Sequence, residues 1–147
     1  MNTPVALRPT IMLEHSPAFD EIAAMKLSLD FNATKNTIRA YGEGWISVND
    51  QQIRQSVIVT PEKVIVDWPP QTYADLDESH FEPIKALGPE IVLLGTGSRQ
   101  QFPPPGLTRS LLSVGIGLEV MNTAAACRTY NIIMAEGRRV VAALLVI

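Results

Sequence analysis

The sequence predicts one α/β domain built on a mixed or largely parallel sheet that is covered on both faces. Three observations lead there. The runs Ile91 to Leu94 and Arg139 to Val146 are almost continuously apolar over strand length, as strands buried on both faces are. Segments with helical spacing alternate with such runs through the second half of the chain. The total of 147 residues, 46% of them hydrophobic and 18% charged, suits one domain with a full core rather than a disordered chain.

Taken in order, residues 1–24 form an arm carrying Pro4 and Pro9, then a short helix capped at Ser16-Pro17 and running to about Met25. Met25-Lys26 offers an alternative translation start. The domain proper is expected over residues 25–147. Ile38 to Val59 reads as strands, with a turn at Asn49-Asp50 of the kind that closes a hairpin and with Ile53 leading into Val57-Ile58-Val59. Pro61 ends that strand, and Val64 to Val66 begins another that Pro69-Pro70 stops. Asp77 to Leu87 has helical spacing and a stop at Gly88. Beyond the break at Pro103-Pro104-Pro105, a helix is expected over Leu107 to Val114 and a strand over Ile116 to Val120. A helix over Thr123 to Ala135 and the final strand complete the chain.

Composition narrows the function. Twelve basic and fifteen acidic residues leave a net charge of −3 with no basic stripe, so nucleic acid is not an expected partner. The single cysteine, Cys127, cannot form an internal disulfide or a thiolate metal site alone, and with no export signal it points to the cytoplasm. No apolar run reaches the roughly 20 residues of a transmembrane helix. His15 and His80 stand in no metal-ligand spacing, and neither a metal nor a cofactor is expected. No Ser, His and Asp order fits a hydrolase triad, and no catalytic residue is assigned.

Two segments are candidates for a ligand site. Gly95-Thr96-Gly97-Ser98-Arg99-Gln100 follows the Ile91 strand, where ligands of open α/β sheets collect. The glycines Gly95 and Gly97 admit close approach, Thr96 and Ser98 supply hydroxyls, and Arg99 supplies a planar fork for an anion. The spacing is neither that of a Rossmann turn nor that of a P-loop, so a plain tight turn is the alternative. Asn122 and Thr123 open the next helix, whose free amides attract anions unless it is simply capped, and Arg128 stands one turn on. If the two strands are parallel neighbours, both loops share one edge of the sheet. Cys127 is expected as a buried apolar residue, and Asp75, Asp77, Glu78 and Glu82 as acids suited to a helix start. Trp68, beside Pro69-Pro70, is either a lid on the core or an exposed contact; with Pro103 and Pro104 it is a candidate for touching a protein partner.

The ordered strings Leu93-Leu94-Gly95-Thr96-Gly97, Gly117 to Thr123, Ala126 to Asn131 and Glu136 to Val140 resemble the domain-of-unknown-function 498 family. Ser56 to Val59 and Trp68 extend the likeness, which runs from about Met25 onward. The resemblance implies a three-layer α/β domain with a mixed central sheet flanked by helices and an additional N-terminal β-hairpin. It implies no defined reaction, and it brings in a mitochondrial assembly factor 3 for complex I. This chain departs from that relative in having no recognisable transit peptide, and a bacterial cytoplasmic member is the simpler expectation. Two classes of function stay open: a binding or assembly-assisting protein with an unidentified protein partner, and a small-molecule or anion-binding domain, an enzyme included, using the two loops. The oligomeric state is not legible.

Overall fold

The computed structural model describes residues 35–147, of which Asn36–Ile147 form one compact unit. The expected arm and the helix from Ser16 to Met25 lie outside the described residues.

The described residues begin with three antiparallel strands, β1 (Ile38–Gly42), β2 (Trp45–Val48) and β3 (Gln51–Ile53), in the order β1-β2-β3. Asn49 takes φ 53° in the two-residue turn between Val48 and Gln51, a conformation that asparagine tolerates better than most residues. Five more strands make the central sheet: β4 (Val57–Val59), β5 (Val64–Ile65), β6 (Ile91–Thr96), β7 (Gly117–Met121) and β8 (Val140–Leu145). Their order is β5-β4-β8-β6-β7; β6 runs parallel to both β7 and β8, and β4 is antiparallel to β5 and β8. The sheet is therefore mixed, and the parallel strands β6, β7 and β8 end at one edge.

Alternation along these strands divides the core into two layers. Val57, Val59, Leu93, Val140, Ala142 and Leu144 face α3 (Thr123–Ala135) and the small sheet, meeting Ala126, Cys127, Tyr130, Ile38, Ile46 and Val48. Ile58, Val92, Leu94, Val141, Ala143 and Leu145 face the other way, onto Trp68, Phe81, Ile84 and Leu111. That second layer is made by α1 (Glu82–Ala86), α2 (Pro105–Ser113) and the segment joining β5 to α1. The three-layer architecture with its extra hairpin strands is the one the family resemblance implies.

Two elements depart from the sequence pattern for clear reasons. The expected helix from Asp77 to Leu87 splits into a 3₁₀ turn over Glu78–Phe81 and the short α1. Pro83 has no N–H to donate to Ser79, so the α-helical ladder cannot run through it; Glu82 N–H bonds to Ser79 O instead. The run from Ile53 to Val59 also breaks, β3 belonging to the small sheet and β4 to the central one. At the break Ser56 is fully buried, and its hydroxyl donates to the carbonyl of Pro70 and lies 3.2 Å from that of Trp68.

Candidate functional site

At the edge where β6, β7 and β8 end, the two predicted loops are joined directly. Thr123 N–H donates to Gly97 O at 2.9 Å, and Gly97 N–H donates to Thr123 Oγ1 at 2.8 Å. The same hydroxyl donates to Leu145 O at 2.6 Å, so one buried side chain ties β6, β8 and the start of α3 together. Thr96 Oγ1 donates to Arg99 O at 2.6 Å, lies 3.2 Å from Met121 O, and accepts Gln101 N–H at 3.1 Å. Its hydroxyl holds the loop in its turn.

Both glycines have structural work at this junction. A Cβ on Gly95 would sit 2.9 Å from Thr123 Oγ1 and 3.0 Å from Thr123 Cα and Leu144 Cδ2, closer than side chains tolerate. Gly97 has φ 97°, in the left-handed region that a Cβ disfavours. Asn122 caps α3 by accepting Ala125 N–H at 2.8 Å, while Ala126 N–H bonds to Asn122 O. The amides of Thr123, Ala125 and Ala126 are thus engaged within the chain, which leaves the helix start poorly equipped to hold an anion.

The remaining candidates separate. Ser98 and Arg99 are exposed on the loop, and the Arg99 guanidinium makes no hydrogen bond or ion pair with the described residues. Arg128 is drawn away toward β1, donating to Tyr41 Oη at 2.7 Å. Trp68 is 2% exposed, packs edge-on against Phe81 and donates its indole N–H to His80 O. It is a core side chain and offers no surface to a partner, which settles the choice between lid and contact. Pro103 is half-buried and Pro104 exposed, beside Phe102, which is 69% exposed.

An open depression of about 360 Å³ lies at this edge, lined by Thr96, Gly97, Ser98, Gln101, the turn from Gln71 to Ala74, and the chain from Leu145 to Ile147. The contribution of Gln71 to Ala74 was not legible in the sequence, because nothing local signals that the chain after Pro70 turns toward the end of β6. Cys127 is fully buried, and desolvation, only partly offset by the charge of Arg128, pushes its thiol up to about 12. So placed it is inert. Asp77 caps the 3₁₀ turn, where the Ser79 hydroxyl and amide hold its carboxyl below the usual range. Among the described residues, no group of three or more His, Cys, Asp or Glu is placed to hold a metal ion.

Comparisons with known proteins bear on the whole unit. The bovine NADH dehydrogenase [ubiquinone] 1 alpha subcomplex assembly factor 3 is 34% identical over 110 residues, 74% of this chain and 59% of its own length. The chain therefore spans about three fifths of that relative. A 13 kDa major membrane protein of Francisella tularensis is 37% identical over 65 residues, covering 44% of this chain and 53% of its own. Among solved structures, a Bordetella parapertussis protein superposes with a TM-score of 0.73 at 46% identity, over 78% of this chain and 98% of that one. An outer membrane protein from Bartonella henselae gives 0.64 at 30% identity, over 78% and 97%. The model of a protein family of unknown function, DUF498/DUF598, matches residues 38–145, from β1 through β8, and the chain belongs to that family.

Proposed function

We propose that this chain is a non-catalytic binding protein that assists the assembly of a membrane-bound respiratory complex, acting through its outer surface. The observation that carries the reading is the use made of the candidate loops. The hydroxyls of Thr96 and Thr123 and the amides of Thr123, Ala125 and Ala126 are engaged within the chain, holding the loop in its turn, the helix in its cap and the strands to the helix, so these groups are structural. The bovine assembly-factor relative agrees with it, as does the inert thiol of Cys127. A protein that works in this way needs exposed contact surface, and Phe102 with Pro104 supplies an aromatic and proline-rich one.

Affinity capture of the tagged chain from its host under mild detergent tests the reading. Subunits of a NADH dehydrogenase should be recovered in near-stoichiometric amounts, above an untagged control, and capture of the chain alone would refute it. One observation keeps anion binding as the second reading: Arg99, whose guanidinium has no hydrogen-bond or ion-pair partner among the described residues, follows Ser98, and Ser98 lines the depression. In that case phosphate or a small carboxylate should raise the melting temperature of the wild type and not that of Arg99→Ala.

A further inference from the structure

The exposed edges of the two sheets are not equally open. On β1, the Asn131 side chain imitates a neighbouring strand, accepting Ile38 N–H at 2.9 Å and donating to Ile38 O at 2.7 Å. On the β5 side the strand is only Val64–Ile65, and the Gln55 amide covers the carbonyl of Val66. The outer strand β3 is short, Gln51–Ile53. β7, Gly117–Met121, is a five-residue edge strand with no strand on its outer side among the described residues; β1, of the same length, carries the Asn131 side chain on its edge at Ile38.

The direction of its backbone groups follows from two hydrogen bonds. Gly117 N–H bonds to Glu90 O, on the β6 side, so alternation turns the N–H and C=O of Leu118 and Val120 outward. Gln100 Nε2 already occupies Val120 O at 2.9 Å. Among the described residues, the N–H and C=O of Leu118 and the N–H of Val120 have no hydrogen-bond partner, which leaves them to an incoming strand. The side chains of Leu118 and Val120 are half-buried on the Trp68 side of the sheet, and α2, which packs on β7, exposes Leu112 near its end and is followed by Val114, the two being 57% and 54% exposed. Glu119, the only charge on the strand, is exposed on the opposite face.

We propose that the outer edge of β7 is a docking strand for an extended segment of a partner protein, apolar on the Leu118 face and basic opposite Glu119. The inference rests on the protein-binding reading above. Strand addition of this kind takes affinity from main-chain hydrogen bonds and specificity from alternate side chains. A second copy is the poorer occupant, because an antiparallel self-pair that uses both Leu118 and Val120 sets Glu119 directly against Glu119. The Gln100 side chain marks the end of the usable edge.

The test is an amide NMR titration of the full chain with a synthetic peptide of alternating valine and lysine. The control is a peptide of equal charge with proline at alternate positions, which cannot pair. The valine–lysine peptide should saturate and slow exchange at Leu118 and Val120, and Leu118→Pro, which removes an outward N–H together with the half-buried leucine side chain, should weaken it about tenfold. If that variant fails to fold, Glu119→Lys keeps every backbone donor and should weaken the peptide by a similar factor. Equal, diffuse shifts with both peptides would overturn the proposal, and so would protection of Leu118 on concentrating the protein alone, which would make a second copy the occupant. Capture of respiratory subunits by wild type and Leu118→Pro alike would sink the edge and spare the assembly reading. Failure of wild-type capture would sink that reading, while the titration still decides the edge.

Discussion

Thr123 Oγ1 makes two hydrogen bonds inside a fully buried site, from Gly97 N–H and to Leu145 O. Thr123→Val keeps the shape and strands both partners, so it should cost about 1–3 kcal/mol for each group left unsatisfied, read from urea unfolding. Thr123→Ser, which keeps the hydroxyl, should recover most of that. Gly95→Ala should be destabilising by about 1–3 kcal/mol, because the added methyl meets backbone and Leu144 at distances the junction cannot relax. Arg99→Ala, on an exposed loop, should change stability by no more than about 0.5 kcal/mol in the same measurement. The sequence marked these residues as special without showing why. Gly95, Gly97 and Thr123 stand out by type and position, but a glycine that admits a ligand and one that admits a helix look the same until the chain is folded.

At the scale of elements, α3 holds the small sheet through polar side chains as well as apolar ones. Asn131 bonds both backbone groups of Ile38, and Tyr130 Oη donates to Asn36 O at 2.7 Å. Asn131→Ala should therefore speed hydrogen exchange at Ile38 far more than at Leu93 in the central sheet. The same helix makes the molecule sensitive to alkali. Burial raises the Cys127 thiol from 9.0 to about 12 and the Tyr130 hydroxyl upward as well. The folded state then keeps protons that the unfolded chain releases, so stability is full below about pH 9 and falls as pH climbs toward about 12. Urea midpoints should drop across that window, and less steeply in Cys127→Ala. Strand and helix positions in the second half were legible because their apolar periods are long and uninterrupted. The split at Pro83 and the switch of sheets at Ser56 were less so, since each depends on one residue whose partner is distant or missing.

For the whole molecule, the division of the core into two layers explains why Trp68 could not be placed from sequence. A tryptophan beside two prolines is equally at home on a surface and in a core, and only the layer formed by Phe81, Ile84 and Leu111 decides. Trp68→Ala should cost about 3–5 kcal/mol in chemical denaturation, the penalty for emptying a large buried volume. That result would move the search for a partner-binding surface to Phe102 and the β7 edge. The family likeness made the three layers and the added hairpin legible in advance. It left the site open, because the groups most suggestive of chemistry turned out to be those that knit the sheet to α3.

The central claim is that the chain serves assembly by binding. It is tested most directly by deleting its gene in the host and measuring fully assembled NADH dehydrogenase in the membranes on native gels. The account predicts a loss of assembled complex that is restored equally by the wild type and by a Ser98→Ala, Arg99→Ala double variant. Assembled complex at the normal level in the deletion strain would contradict it.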